Sequence, residues 1–323
     1  MSRIAVVIAV AALMVSASAE AQQKTYKIGY ILSVDSQLGA GATVFADDVA
    51  KRTGGKIKIE QQPNSALGGE VEMLKGMQLG TVDMAFITGA PLPNIVPDVG
   101  VFNIPFIFHD LAHAHSVLDS PLGQSYLEKF KSKDLIALAW GENGLRHITN
   151  SKRPIKTPED LKGLKLRLPQ SEVMAIGFKA LGADVGALAF PQLYGALQSG
   201  QFDGQENPIG TILSSKFAQV QKYLTLSGHV YDPAVILVSK DVWGDLTDAE
   251  KAALAESAKL GAEASRTYAA NAEKSGVDAL RKQGVEVVEQ IDRAKFAAAI
   301  KSTRSEYEKM FGADVISKIE STK

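Results

Sequence analysis

Strand-like and helix-like stretches take turns along this chain, divided by glycines and short polar turns, and that alternation points to α/β architecture rather than a helical bundle or an all-β sandwich. Residues 26–34 read as a first strand. Leu38, Ala42, Phe45 and Val49 then fall on one helical face, and Thr53, Gly54 and Gly55 supply the stop. Residues 56–61 alternate as a strand, 69–79 read as a helix closed by Gly80, and 82–87 read as a buried strand entering the loop Thr88-Gly89-Ala90. Two β-α-β passages in succession imply parallel strands with right-handed crossovers. The middle of the chain repeats the pattern: a strand at 135–140, a helix start at Thr157, Pro158 and Asp160, a strand at 164–168, and helices at 171–181 and 191–197 stopped by Gly182 and Gly200. Residues 247–281 have few helix breakers and read as one long helix, or two in line; a strand at 285–288 and a terminal helix at 293–310 follow. A chain of 323 residues can build two lobes with cores of their own, and without a flexible linker it must cross between them more than once.

The first residues read as an export signal. Arg3 precedes an apolar run over 4–15, and two overlapping small-residue cleavage sites, Ala17-Ser18-Ala19 and Ala19-Glu20-Ala21, follow it. Residues 1–21 are therefore expected to be removed, leaving a periplasmic protein. No later run approaches the roughly 18–20 apolar residues of a membrane span. The chain has no cysteine, which excludes disulfides, thiolate metal sites and a cysteine nucleophile. Its 35 Lys and Arg against 36 Asp and Glu give no general attraction to phosphate backbones, so nucleic acid is not an expected partner.

Signatures of catalysis are scarce. Gly39 and Gly41 resemble half of a dinucleotide fingerprint, but Val44 stands where its third glycine belongs. No P-loop, nucleophile elbow or H-E-x-x-H motif occurs. His109, His113 and His115 are the best metal candidates, yet Asp110 reads more simply as a helix cap with solvated imidazoles around it. His147 and His229 are isolated in sequence, and Trp140 and Trp243 read as packing residues. Neither a cofactor nor a metal is expected.

One pattern is long and specific. Gly163 to Pro169 (GLKLRLP), Ala189 to Gln198 (AFPQLYGALQ) and Phe202 to Pro208 (FDGQENP) together resemble the solute-binding proteins of tripartite ATP-independent periplasmic (TRAP) transporters of the DctP type. Similar segments at 53–55, 63–68, 79–84 and 102–106 extend the resemblance over essentially the whole mature chain. The resemblance implies two α/β lobes joined by strands and a long helix, closing over a small organic acid that is handed to a membrane permease, with no catalysis. It divides the chain into lobe I, residues 22–145 plus 233–272, and lobe II, residues 146–232 plus 273–323, and a monomer is expected.

By the same resemblance Arg167 grips the ligand carboxylate, a task suited to a planar fork that gives two parallel charge-assisted hydrogen bonds. Arg146 matches a second basic position, Asn207 an amide on the same carboxylate, and Gln170 and Phe190 line the cleft. Glu70 and Thr88 are expected from the opposite lobe, with Gln37 as a further contact. Members that bind sialic acid carry an acidic residue at the position of Thr88 and an amide at that of Ile31, so sialic acid is not expected. Glu70 beside an acidic ligand is repulsive unless that ligand offers hydroxyl or amino donors, which favours a uronate or aldonate. A C4-dicarboxylate, or a 2-oxo or aromatic acid, is the alternative. An exported enzyme acting on sugar acids, or a module that presents its ligand to a sensor, are rival functions.

Overall fold

The computed structural model describes residues 23–322, so the signal-peptide reading of residues 1–21 lies outside the described residues. Among these residues the strands are β1 (Lys24–Gly29), β2 (Ile57–Gln62), β3 (Met84–Thr88), β4 (Leu135–Asn150), β5 (Lys165–Leu168), β6 (Asp184–Ala187), β7 (Gly204–Pro208), β8 (Tyr223–Ser239) and β9 (Glu286–Val288). They join in one sheet ordered β2-β1-β3-β8-β4-β7-β5-β6, with β9 beside β8. The parallel set β1, β2 and β3 attaches to the C-terminal half of β8. The parallel set β5, β6 and β7 attaches to the C-terminal half of β4. β4 and β8 run antiparallel through both halves, so two α/β lobes share one pair of long strands.

The helices are α1 (Gln37–Arg52), α2 (Glu70–Gln78), α3 (Leu111–Asp119), α4 (Pro121–Lys129), α5 (Glu172–Ala180), α6 (Leu193–Gln198), α7 (Ile209–Ser214), α8 (Lys240–Asp245), α9 (Asp248–Lys282), α10 (Arg293–Lys301), α11 (Arg304–Phe311) and α12 (Ala313–Ser321). In α1 the Ser36 hydroxyl accepts from the Gly39 N–H at the start, and Leu38, Ala42, Phe45 and Val49 are all buried. The 35-residue α9 opens with the reciprocal Thr247–Glu250 cap and lies along both lobes. It meets α1 where a methyl group on Gly41 would sit 2.7 Å from the Gly261 carbonyl, and meets α7 where one on Gly276 would strike Ile209 at 2.4 Å. Gly41, half of the apparent dinucleotide fingerprint, thus serves a close helix crossing.

Several elements differ from the sequence reading. β1 ends at Gly29 rather than continuing to 34; a side chain at Gly29 would collide with Met73, and the chain leaves the sheet toward the α1 cap. The helix start at Thr157 yields a single 3-10 turn, Pro158–Leu161, because Gly163 at φ 74° turns the backbone away. The terminal helix is broken into α10, α11 and α12. The Tyr307 hydroxyl of α11 donates to the Val173 carbonyl in α5, Phe311 lies against Gly100, and the His113 ring bonds to the Ile319 carbonyl of α12. Residues 304–322 therefore touch both lobes. No helix of the described residues is long and apolar enough to cross a membrane.

Candidate ligand cleft

The strand directions set the site. β3 runs opposite to β5 and β7, so Thr88 at the end of β3 and Arg167 and Asn207 near the ends of β5 and β7 converge on the middle of the sheet. Carboxyl ends of parallel strands are where open α/β sheets bind ligands, because helix starts and loops leave a crevice there. Across this crevice Gly69, at the head of α2, lies against the segment around Ala189 and Pro191, and the Asn94 amide donates to the Gln170 carbonyl at 2.7 Å. The two lobes thus meet over the site.

Arg167 is 2 % exposed. Its Nε and one Nη2 hydrogen donate to the Leu188 carbonyl, at 2.9 and 2.6 Å. Of the five N–H donors on a guanidinium, the other three have no protein acceptor among the described residues, and no carboxylate lies in ion-pair range. Burial pulls this guanidinium down to about 9, Glu206 opposing the shift and Arg146 adding to it, which leaves it cationic at neutral pH. Glu70, the first residue of α2, is buried on the opposite side and accepts the Thr88 N–H at 2.7 Å. Burial pushes its carboxyl up to about 7; Thr88 pulls it down, Asp232 pushes it up and Arg167 pulls it down. Glu70 and Arg167 attract each other, so the two buried groups lie within electrostatic reach across the strand ends.

Arg146 is placed differently. Its Nε and Nη2 clasp both oxygens of Glu206 at 2.5 and 2.7 Å, Nη2 also donates to the Glu206 carbonyl at 2.7 Å, and Nη1 reaches Asp232 at 2.6 Å. Only one N–H is left, so the second basic position expected to face the ligand is spent on a buried ion triad in the wall. Burial opposes the charge on Glu206, but Arg146 and His229 more than offset it and hold the carboxyl below its ordinary range. Asp232 is shifted up by burial, against the pull of Arg146 and Asn143.

Gln37 is fully buried and spans the lobes: its Nε2 points at the Asn143 carbonyl and side-chain oxygens at 3.0 and 2.8 Å and at the Thr211 hydroxyl of α7 at 2.8 Å. It braces the crossover instead of offering its amide hydrogens to the cleft. Asn207 is buried and donates to the Gln205 side chain at 2.5 Å. Phe190 is half-buried, its ring 6.2 Å from that of Phe217. Gln170 is half-buried at the entrance to α5.

The family model for bacterial extracellular solute-binding protein, family 7 (DctP), matches residues 28–310. The chain belongs to this family. A TRAP periplasmic solute-binding protein from Polaromonas sp. JS666, solved with bound D-erythronate, shares 45 % identity and superposes with a TM-score of 0.92 over 93 % of this chain and 99 % of its own. One from Bordetella, with density assigned to pantoate, shares 48 % identity at a TM-score of 0.91 over 93 % and 100 %. The 2,3-diketo-L-gulonate-binding periplasmic protein YiaO of Escherichia coli is 33 % identical over 291 residues, 90 % of this chain and 89 % of that protein.

Family membership leaves the histidines of this DctP-type protein to be explained. His109 and His113 stack at 4.5 Å and bond to the carbonyls of Glu320 and Ile319, while His115 meets Glu142 at 2.5 Å, so the three candidate metal ligands serve three separate contacts. No group of three or more His, Asp or Glu among the described residues is placed to hold a metal. His147 and His229, isolated in sequence, gain orienting partners in the fold: Glu273 at 2.8 Å and Glu206 at 3.0 Å. Ser227, His229 and Glu206 even line up as hydroxyl, imidazole and carboxylate, but the hydroxyl sits on Nδ1, the carboxylate on Nε2, and all three are buried with Glu206 already clasped by Arg146. Sequence reasoning missed Glu206, Asp232, Asn143 and Thr211. Glu206 lay inside the FDGQENP motif, and Asp232 stood as a lone charge in an apolar stretch, which was the signal available.

Proposed function

We propose that this protein is an exported binding protein that closes over a hydroxylated sugar acid, an aldonate or uronate, and delivers it unchanged to a TRAP permease. The observation that carries this reading is Arg167: a dry guanidinium with a free N–H edge and no carboxylate of its own. A buried cation in that state is costly, and a ligand carboxylate supplies the missing partner through two parallel hydrogen bonds. Asn207 and Gln170 add amides beside the carboxylate, Phe190 covers an apolar edge, and Glu70 with Thr88 faces the hydroxylated end. Glu70 favours a hydroxylated ligand over a dicarboxylate, because hydroxyls both donate and accept and so pair with this carboxyl in either protonation state, whereas a second carboxylate pairs only with its protonated form. The ligands of the three relatives described above, D-erythronate, pantoate and 2,3-diketo-L-gulonate, are hydroxy or keto-hydroxy acids, whereas a Sulfurospirillum relative at 31 % identity holds succinate.

Because the ligand bridges the lobes, it favours the closed state by its extra contacts there, and closure shapes the surface offered to the permease. The lobes are divided at the crossovers near 145/146 in β4, 232/233 in β8 and 272/273 in α9, and the protein works as a periplasmic monomer. The mature protein tested by thermal unfolding against D-erythronate, galactonate, glucuronate and succinate should respond to the hydroxy acids. A ligand at about a thousand times its Kd stabilises by about 4 kcal/mol, a shift of several degrees. A response to succinate alone would overturn the ligand class, and chemical conversion of the bound acid, followed by mass spectrometry, would overturn the binding role.

A further inference from the structure

The ionisable groups around the cleft do not balance. Among the described residues, Arg146 and Arg167 are the two buried guanidinium groups, and Glu70, Glu206 and Asp232 are the three buried carboxyls within electrostatic reach of them. With His229 neutral, as its burial favours, and the other five groups ionised, the cluster carries one negative charge too many before any ligand arrives. A ligand carboxylate on Arg167 adds another behind a closed mouth. Uncompensated buried charge is expensive, and the usual response is uptake of a proton rather than retention of the charge.

Geometry selects which group takes it. Glu206 has both oxygens on the Arg146 fork and a third contact to His229, so protonation would break a bidentate pair. Asp232 collects donors from Arg146, the Asn143 and Asn103 amides and the Ala90 N–H, all of which favour its charged form. His229 has both ring nitrogens engaged, by Ser227 and Glu206, and burial lowers its basicity. Glu70 has Thr88 alone for hydrogen bonding, Asp232 on β8 repelling it, and Arg167 on β5 as its one attractive charge. That attraction is what a ligand carboxylate cancels.

Building on the sugar-acid reading, we propose that capture of the acid takes up one proton at Glu70, so that the ligand hydroxyls in the closed cleft face a carboxylic acid able to donate to them. A group ionised in the free protein and protonated in the complex makes affinity fall as pH rises. The Kd should therefore be flat below about pH 7 and weaken toward tenfold per unit above it. The role goes beyond gripping: Glu70 becomes a proton site whose occupancy is tied to the ligand.

Calorimetric titration of the mature protein with D-erythronate, from about pH 6 to about pH 9 in phosphate and in Tris, tests this directly, since the two buffers differ in heat of ionisation. The wild type should take up close to one proton per ligand above about pH 8, and Glu70→Gln, shown folded by thermal unfolding, should lose both the buffer dependence and the pH slope. Equal heats in both buffers with a flat Kd would overturn the proposal, as would proton uptake that persists in Glu70→Gln. If neither D-erythronate nor the other hydroxy acids bind at any pH, the sugar-acid reading itself fails and takes this inference with it.

Discussion

Arg146 and Arg167 stand two strands apart, are equally buried, and differ in whether the protein itself supplies their counter-charge. Removing one partner from a buried ion pair strands the other, whereas Arg167 is hydrogen-bonded only to a backbone carbonyl and its loss breaks no ion pair. Arg146→Met should strip Glu206 and Asp232 of their guanidinium counter-charge and destabilise the ligand-free protein by about 3–5 kcal/mol. Arg167→Met should leave the ligand-free melting temperature close to that of the wild type, the relief of burying its charge offset by the lost attraction to Glu70 and Glu206, while costing about 3–5 kcal/mol of D-erythronate binding. Thermal unfolding and calorimetry of the two variants check both halves; a ligand-free Arg167→Met that melts as low as Arg146→Met would show that Arg167 is structural. The motif made Arg167 legible in the sequence. The opposite fate of Arg146 was not, because its partners lie 60 and 86 residues away and only the pairing of β4 with β7 and β8 brings them within reach.

Helices and short strands were legible wherever periodicity met a clear stop, as in α1, α2, α5 and α9. The long strands were not. β4 changes register at three places and carries Gly144 at φ 130°, while β8 contains Gly228 in the left-handed region and Pro233 opposite Glu142, all of which break the alternation that marks a strand. Arg146 and Asp232 meet within this irregular stretch, Asp232 standing opposite Gly144 and Arg146 opposite Val230. The glycine crossing of α1 and α9 was likewise hidden, since Gly41 looks the same whether it cradles a phosphate or a helix. An added methyl at Gly41 would lie 2.6 Å from the Phe86 ring and 2.7 Å from the Gly261 carbonyl, and backbone cannot yield as a side-chain end can. Gly41→Ala should therefore cost about 1–3 kcal/mol of stability by overpacking. Gly195→Ala, in α6 with open space around it, should be neutral or stabilising by up to about 1 kcal/mol. Denaturant unfolding of the pair separates close packing from a general intolerance of alanine.

At the scale of the whole molecule, closure links the cleft to contacts far from the ligand. Gln37 on α1, Asn143 on the crossover and Thr211 on α7 form a buried hydrogen-bonded node between lobes. If the node belongs to the closed state, it adds to affinity without touching the ligand, because apparent affinity scales with the closed fraction. Gln37→Ala then loses hydrogen bonds to buried acceptors worth about 1–2 kcal/mol and shifts the equilibrium toward the open form. Every acid that binds should weaken by the same factor, about 5–30-fold, with the ranking among D-erythronate, galactonate and glucuronate unchanged. Small-angle scattering should show the ligand-free variant no more compact than the wild type. Glu70 variants, by contrast, act on the hydroxylated end, where the three acids differ, and should change the ranking. A Gln37→Ala protein that reorders the three acids would place this amide at the ligand after all, as the family resemblance implied, and would remove the distinction between the grip and the latch.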